Sequence, residues 1–379
     1  MMKEKLELIL SEIDSLNLSG VLLRNPENLL FATGYWSALG RSLLWVSSDG
    51  RTKLLAPKSE IDFVPDGCAD EVEWQADEGL DAIFSPYPGF KKFLGKLSGR
   101  VGVELSSEIT TSIHVGSEAS YASTPTFDLV KQAGAELVDF TPSIEKLRQH
   151  KSESDVEKIA LSYEISAVGL REGRFKLSEG MTEAELASVI EGAINSSVGY
   201  KGAKRVRAFA FVMSGYKGET AYYPYDISSE KTIKRGESVL IELDVQVDGY
   251  WSDTTRTWFI DAPEEMRDRY EAVLEGNEEA TKAAKIGAPV TEVDSAARKV
   301  ISDRGYGKEF NHRLGHGVGF RHHEMPALHP ASKEVLAKGM TFTIEPGVYG
   351  KGFGIRVENG VEATEGGGRK LGNVPLGFP

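Results

Sequence analysis

The segment SVLIELDVQVDGYWSDTTRTW, at residues 238–258, alternates apolar and polar residues and predicts a β-hairpin with acidic side chains on one face. Asp248-Gly249 is a strong signal for a two-residue turn. If that turn is tight, Asp244 lies opposite Asp253 on the returning strand, and Glu242 lies one diagonal step away. These acids repel each other unless a cation lies among them, so the hairpin predicts a metal site or a solvent-exposed acidic face. The returning strand is β-branched and contains tryptophan, so it is expected to be buried, which favours the metal site.

Histidines are concentrated in one short stretch of the chain. A single histidine is more often structural or exposed, whereas a cluster favours a functional site. His316 lies in LGHGVGF, and the glycines on both sides let backbone pack closely around its imidazole. Five of the seven histidines fall between residues 312 and 329: His312, His316, His322, His323 and His329.

Two further acids interrupt apolar strands, Glu345 in TFTIEPGVYG and Glu358 in GFGIRVENGVEAT. A buried carboxylate must be paired or bound to a metal, and Arg356 is a candidate partner on the same face as Glu358. Either acid alone is explained by a buried ion pair. Together with the hairpin acids and His316 they indicate a site with oxygen ligands and one imidazole, which suits Mn, Co, Fe or Zn. Two-metal sites of this type hold a bridging hydroxide as the nucleophile.

Composition sets limits on the class of protein. The chain has 379 residues, of which 40% are hydrophobic and 27% charged, and its formal net charge is -13. This length suits two domains of a soluble protein, and the acidic balance argues against nucleic acid or an anionic membrane as partner. The N-terminus mixes acids and bases, unlike a signal peptide, and the single Cys68 forms no intramolecular disulfide, so we expect a cytoplasmic protein.

The order of the predicted elements divides the chain into two domains, residues 1–147 and 148–379. Short strands and helices alternate in the first, which indicates an α/β domain. The second alternates pairs of helices with strand-rich blocks, which indicates an α+β domain. Its first helix is expected to begin at Ser154, with Glu157 completing a capping box.

Several motifs resemble those of the pita-bread metallopeptidases, which include Xaa-Pro aminopeptidase and Xaa-Pro dipeptidase (prolidase), with creatinase as a metal-free relative. The N-terminal domain is echoed by PENLLFATGYW, and the catalytic domain by YWSDTTRT, LGHGVG, TIEPGVY and IRVENG. The resemblance implies a pita-bread domain of the α+β class, preceded by a smaller creatinase-type α/β domain. It also implies a homodimer and two divalent ions, Mn or Co before Zn or Fe. The implied ligands are Glu242, Asp253, His316, Glu345 and Glu358.

The same register implies three roles in catalysis. Glu345 resembles the general base that takes a proton from the bridging water. His323 resembles the histidine that steadies the scissile carbonyl as it becomes tetrahedral. His312 resembles a histidine of the substrate pocket.

The first metal position departs from the family pattern. Glu242 stands where the family has Asp, eleven residues before Asp253. Asp244, at a position where the family usually has Gly, is an alternative or additional ligand.

The substrate pocket also departs from the family pattern. The family has a pocket histidine upstream of the hairpin, but residues 151–311 contain none. The corresponding loop carries Tyr222, Tyr223 and Tyr225 instead. Ala327 replaces the arginine with which prolidases bind the dipeptide carboxylate.

Three functions therefore stay open at this point. The first is a metal-dependent exopeptidase acting on Xaa-Pro bonds of peptides, an aminopeptidase rather than a dipeptidase. The second is hydrolysis of a small amide or other non-peptide C–N substrate, as in creatinase and ectoine hydrolase. The third is a catalytically inactive binding protein, which the retained acids argue against.

Overall fold

The computed structural model describes residues 2–38, 41–75, 87–107, 124–223 and 227–376. These residues form two compact units, which the sequence divides between Arg148 and Gln149. In the described part of the chain, no helix has both the length and the apolar character to cross a membrane.

The first unit is built on one mixed sheet with the strand order β4-β3-β2-β1-β5-β6. Strand β2 is antiparallel to β1 and β3, and the other neighbours are parallel. Four of these strands lie in SGVLLRN, SLLWVSS, TKLLAP and RVGVEL, and Cys68 is buried as a free thiol. The strands are β1 Gly20–Leu23, β2 Leu43–Ser47, β3 Thr52–Pro57, β4 Glu71–Gln75, β5 Arg100–Val103 and β6 Glu136–Asp139. The helices are α1 Met2–Ser15, α2 Pro26–Thr33, α3 Tyr87–Leu94, α4 Thr124–Gln132 and α5 Thr141–Arg148.

The helices of the second unit come in two pairs. The predicted start of the first helix at Ser154 is wrong, because Ser152 is the N-cap and shares a capping box with Asp155. Asp155 is fully buried, and its other carboxylate oxygen accepts a hydrogen bond of 2.9 Å from the Tyr250 hydroxyl, which selects this cap over the next one. The helices are α6 Glu153–Lys176, α7 Glu183–Asn195, α8 Glu264–Ala283 and α9 Val290–Asp303.

The strands of the second unit form three sheets, with the orders β7-β8-β9, β11-β10-β12-β15-β16 and β13-β14. The first sheet packs against α6 and α7 through a core that includes Ile190, Ile241 and Trp258. The strands are β7 Val206–Ser214, β8 Ser238–Val247, β9 Tyr250–Phe259, β10 Gly315–Gly317, β11 Glu324–Leu328, β12 Thr341–Ile344, β13 Gly347–Gly350, β14 Phe353–Arg356, β15 Asn359–Thr364 and β16 Gly367–Lys370.

The predicted hairpin is confirmed as β8 and β9. Val247 pairs with Tyr250 across a two-residue turn, in which Asp248 and Gly249 both have positive φ. The Asp248 carboxylate accepts hydrogen bonds from the backbone N–H groups of Lys204 and Arg205, so the turn is tied to the start of β7. Asp244 is directly opposite Asp253, as the alternation predicts.

Candidate metal centre

The predicted ligands come from the β7-β8-β9 sheet and from the five-stranded sheet with its adjoining segments, and they meet at or beside one cavity of about 160 Å³. The hairpin contributes Glu242, Asp244 and Asp253, and β10 contributes His316. Glu345 follows β12 and lines the cavity, whereas Glu358, between β14 and β15, is fully buried beside it.

The hairpin acids are buried, which excludes the solvent-exposed acidic face. Their residual exposure is 8% for Glu242 and 2% each for Asp244 and Asp253. Both strands are buried along nearly their whole length, because the apolar face packs against α6 and α7 and the acidic face turns toward the cavity. Burying several carboxylates without a compensating cation is costly, so this face requires positive charge.

His316 is held so that one ring nitrogen faces the acids. Its Nδ1–H donates to the Gly317 carbonyl at 3.0 Å, which leaves Nε2 without a proton in the neutral ring. Nε2 lies 3.2 Å from Asp253 Oδ2 and 3.5 Å from Glu345 Oε1. The flanking glycines are required by close packing, since a Cβ on Gly315 would lie 2.0 Å from the Thr343 carbonyl oxygen.

Glu242 is engaged by neighbouring protein groups. Its Oε2 forms a buried ion pair with Arg356 Nη2 and lies 3.0 Å from the Thr255 hydroxyl. The same hydroxyl lies 2.6 Å from Glu358 Oε2 and accepts a hydrogen bond from Arg356 Nε at 2.8 Å. The arginine expected beside Glu358 thus makes its ion pair with Glu242.

His322 also belongs to the site, although no sequence motif assigns it a role. Its Nε2 lies 2.8 Å from Asp244 Oδ1 and 2.9 Å from Asp253 Oδ2. The side chain is buried, with 6% exposure. The available signal was its place in the histidine cluster, directly before His323.

Proton affinities in the cavity follow from burial and crowding. Burial and the Asp253 charge raise the pKa of Glu345 to about 8. Burial, with Asp253 and Glu345 nearby, also raises the pKa of Glu358 well above its usual range. Burial opposes charge on Asp253 too, but His322 and His316 hold its pKa well below the ordinary value. Burial alone would lower the pKa of His322, but Asp244 and Asp253 raise it well above the ordinary value.

The donor set fits divalent metal ions. Asp253 Oδ1 and Glu358 Oε1 are buried and have no hydrogen-bond partner among the described residues. Such atoms are expected where a cation completes the site. Four groups of three side chains each bring their donor atoms within 4.8 Å of one another; three groups combine carboxylate oxygens with imidazole nitrogens, and Glu242, Asp253 and Glu358 form an all-carboxylate group. Mixed O/N sites of this kind suit Mn, Co, Fe or Zn.

The two other predicted catalytic histidines also line the cavity. The His323 ring is 4.0 Å from that of His316, between centroids, and burial lowers its pKa. His312 Nδ1–H donates to the Arg313 carbonyl at 2.7 Å, and its Nε2 accepts from the Tyr349 hydroxyl at 3.1 Å. Burial lowers the His312 pKa to about 4, so both rings are neutral near pH 7.

The residues at which the substrate pocket departs from the family pattern lie at different distances from the cavity. Tyr222 lines the cavity and its ring lies 5.2 Å from that of Tyr349, whereas Tyr223 is exposed. Tyr225 lies outside the described residues. Ala327 pairs with His316 in the β10–β11 ladder.

The fold and this cavity define a metal-dependent hydrolase with the pita-bread fold and a creatinase-type N-terminal unit. The family model described as Metallopeptidase family M24 matches residues 157–365. The model described as Creatinase/Prolidase N-terminal domain matches residues 5–150. The chain therefore belongs to metallopeptidase family M24, and the predicted family and fold class are confirmed.

Relatives and solved structures match nearly the whole chain. An Xaa-Pro dipeptidase of Pyrococcus furiosus is 32% identical over 372 residues, 98% of both chains. A dipeptidase structure from Pyrococcus horikoshii OT3 has a TM-score of 0.79 at 28% identity and covers 99% of each chain. An X-Pro aminopeptidase structure from Thermotoga maritima has a TM-score of 0.77 at 26% identity, covering 97% of this chain and 99% of that one.

Proposed function

We propose that the protein is a metal-dependent exopeptidase that hydrolyses Xaa-Pro bonds, with residues 148–379 as its catalytic domain. The observation that carries this proposal is the convergence of Asp253, His316 and Glu345 on one cavity, with Glu358 buried beside them. The similarity to Xaa-Pro dipeptidases and to an X-Pro aminopeptidase supports the substrate class.

Glu345 is proposed as the group that moves the proton. Two divalent ions held by the buried acids and His316 would supply an activated water and polarise the scissile carbonyl. The Glu345 carboxylate takes a proton from the attacking water, whose oxygen bonds to the carbonyl carbon. It then gives that proton to the proline nitrogen as the C–N bond breaks. Glu345 lines the cavity, and its Oε1 lies 3.5 Å from His316 Nε2, so the carboxylate is placed to accept a proton and to return it.

His323 and His312 are proposed to act on the substrate rather than on the water. His323 is neutral and retains one N–H donor, which can stabilise the oxygen of the tetrahedral intermediate. His312 is fixed by a relay in which Arg356 Nη1 donates to the Tyr349 hydroxyl and that hydroxyl donates to His312 Nε2. This relay orients the ring at the cavity wall.

The substrate class is tested with a peptide panel. We expect chelator-treated protein reloaded with Mn(II) or Co(II) to hydrolyse Xaa-Pro dipeptides and Xaa-Pro-Xaa tripeptides, measured as released amino acid. Leu-Leu is the control peptide, because it lacks the tertiary amide. Metal-loaded protein that cleaves no Xaa-Pro peptide would refute the proposal.

That negative result would favour the second candidate, a small non-peptide C–N substrate. The specific observation behind it is Tyr222, which gives the cavity wall a phenol. An amide, amidine or cyclic-amide panel under the same metal loading then tests it directly.

Arg313 is expected to decide between free dipeptides and longer peptides. It is exposed, lines the cavity, and its charge opposes the rise in the Glu345 pKa. The other arginine of the cavity wall, Arg356, is already paired with Glu242. Ala327 offers no cation, so Arg313 is the side chain suited to a substrate carboxylate.

Arg313→Gln should therefore raise KM for an Xaa-Pro dipeptide roughly 10- to 100-fold, the worth of a charge-assisted hydrogen bond. The same dipeptide with an amidated C-terminus should show little change. Arg369→Gln, at an exposed ion pair with Glu362, serves as the control. Equal KM changes for acid and amide would contradict this role.

A further inference from the structure

We infer that Asp244, Asp253 and His322 form the first metal position of this protein, in place of a position centred on Glu242. The inference rests on the metal dependence proposed above and adds a ligand set to it. His322 is not among the ligands that the family resemblance implies, and the inference assigns it to direct metal coordination.

The geometry of the three donors carries the first step. His322 Nε2 is 2.8 Å from Asp244 Oδ1 and 2.9 Å from Asp253 Oδ2, and all three side chains are buried. Two ligands at right angles, each about 2.1 Å from one ion, lie about 3 Å apart. Both distances from His322 Nε2 already have nearly that value, and the donor atoms of all three residues lie within 4.8 Å of one another.

Glu242 provides the second step. Its Oε2 is committed to the Arg356 guanidinium and the Thr255 hydroxyl. The Arg356 guanidinium keeps its charge and does not bind metal ions, whereas the imidazole beside Asp244 can itself be a metal ligand. The Asp244–His322 side of Asp253 therefore offers the stronger site.

Asp253 provides the third step, because it lies between two imidazoles. Its Oδ2 is 3.2 Å from His316 Nε2 and 2.9 Å from His322 Nε2, and its Oδ1 is buried without a hydrogen-bond partner among the described residues. The two rings are 5.9 Å apart between centroids. Asp253 could therefore contribute to both ion positions. Asp244 and His322 would complete one set of ligands, and His316, Glu345 and Glu358 would complete the other.

The competing explanation is that His322 stays protonated and is a positively charged counter-ion that lies between Asp244 and Asp253. The two explanations differ in metal content. If Asp244 and His322 form only an ion pair, their removal leaves the number of bound metal ions unchanged. If they are metal ligands, their removal lowers that number.

The test measures metal per chain. Full-length protein and variants are stripped with chelator, reloaded with Mn(II) or Co(II), dialysed and measured by mass spectrometry. We expect about two ions per chain in the wild type and about one in Asp244→Ala. The double variant Asp244→Ala/His322→Ala removes the pair together and should also hold about one. Exposed His329→Gln, from the same histidine cluster, controls for loosely bound metal and should match the wild type.

The ion retained at His316, Glu345 and Glu358 reports that each variant is folded. As a second readout, X-ray absorption of the cobalt form should show fewer imidazole ligands per chain in the double variant. Full wild-type metal content in either the single or the double variant overturns the inference, as does a wild type that takes up no metal.

The outcome is separable from that of the proposed function, since the measurement contains no peptide. Xaa-Pro hydrolysis by the wild type, with full metal content in Asp244→Ala, would leave the function standing and remove this ligand set. Loss of one ion in Asp244→Ala, with no peptide turnover by the wild type, would support this ligand set and remove the proposed function.

Discussion

Glu345→Gln is expected to lower kcat for Xaa-Pro peptides by about 10²–10⁴-fold, the usual contribution of a positioned general acid–base group. The amide keeps the size of the carboxylate and an oxygen that can face the metal, but it cannot take a proton from water. KM should change little, because the substitution leaves the cavity wall in place. The measurement is steady-state kinetics on metal-loaded protein, with metal content determined on the same sample.

Glu365→Gln is the matched control, since it makes the same chemical change at an exposed turn between β15 and β16. It should keep wild-type kcat. Retained activity in Glu345→Gln at full metal content would remove Glu345 from the role of base. A loss of activity that follows loss of metal would show a ligand role alone.

Arg356→Met is expected to cause the largest loss of stability in the catalytic unit. The guanidinium is almost fully buried and contacts Glu242, Thr255, the Ala221 carbonyl and the Tyr349 hydroxyl. Its removal leaves a buried carboxylate without its ion-pair partner, which typically costs about 3–5 kcal/mol. The midpoint of denaturant unfolding, followed by intrinsic fluorescence in metal-free protein, measures the change.

A double-mutant cycle isolates the ion pair from the size of the side chain. Glu242→Gln alone should destabilise the protein less, and Arg356→Met with Glu242→Gln should recover part of the loss, because no uncompensated charge remains. Arg369→Met, at an exposed ion pair with Glu362, is the control and should change stability by no more than about 1 kcal/mol. Additive losses in the cycle would show that Arg356 acts through its other contacts.

Local patterns were sufficient to predict the hairpin and its acids. A period of two and a two-residue turn fix which side chains share a face, so the opposition of Asp244 and Asp253 followed from about twenty consecutive residues. The N-cap was mistaken because Ser152 and Ser154 each precede an acid by three positions. The contact between Asp155 and Tyr250, 95 residues away, decided between them.

The remaining parts of the site depend on contacts that no local period encodes. His322 lies in the irregular segment between β10 and β11, where spacing does not determine the direction of a side chain. The sequence predicts Arg356 on the same strand face as Glu358, but the packing of β14 beside the hairpin brings it to Glu242, 114 residues earlier in the chain. In both cases tertiary packing selects among partners that are equally acceptable in sequence.

Because the Asp248-Gly249 turn has two residues, the number of residues at this hairpin tip determines which side chains of the hairpin face the cavity. Inserting or deleting one residue there would exchange the two faces of one strand, carrying Asp253 into the apolar core and bringing Thr254 to the cavity. Loops elsewhere in the molecule can vary in length at little cost, but this one can tolerate only changes that restore the alternation. Natural variation and engineered libraries should therefore substitute residues at the tip while keeping their number, although the tip lies four residues from the nearest proposed metal ligand.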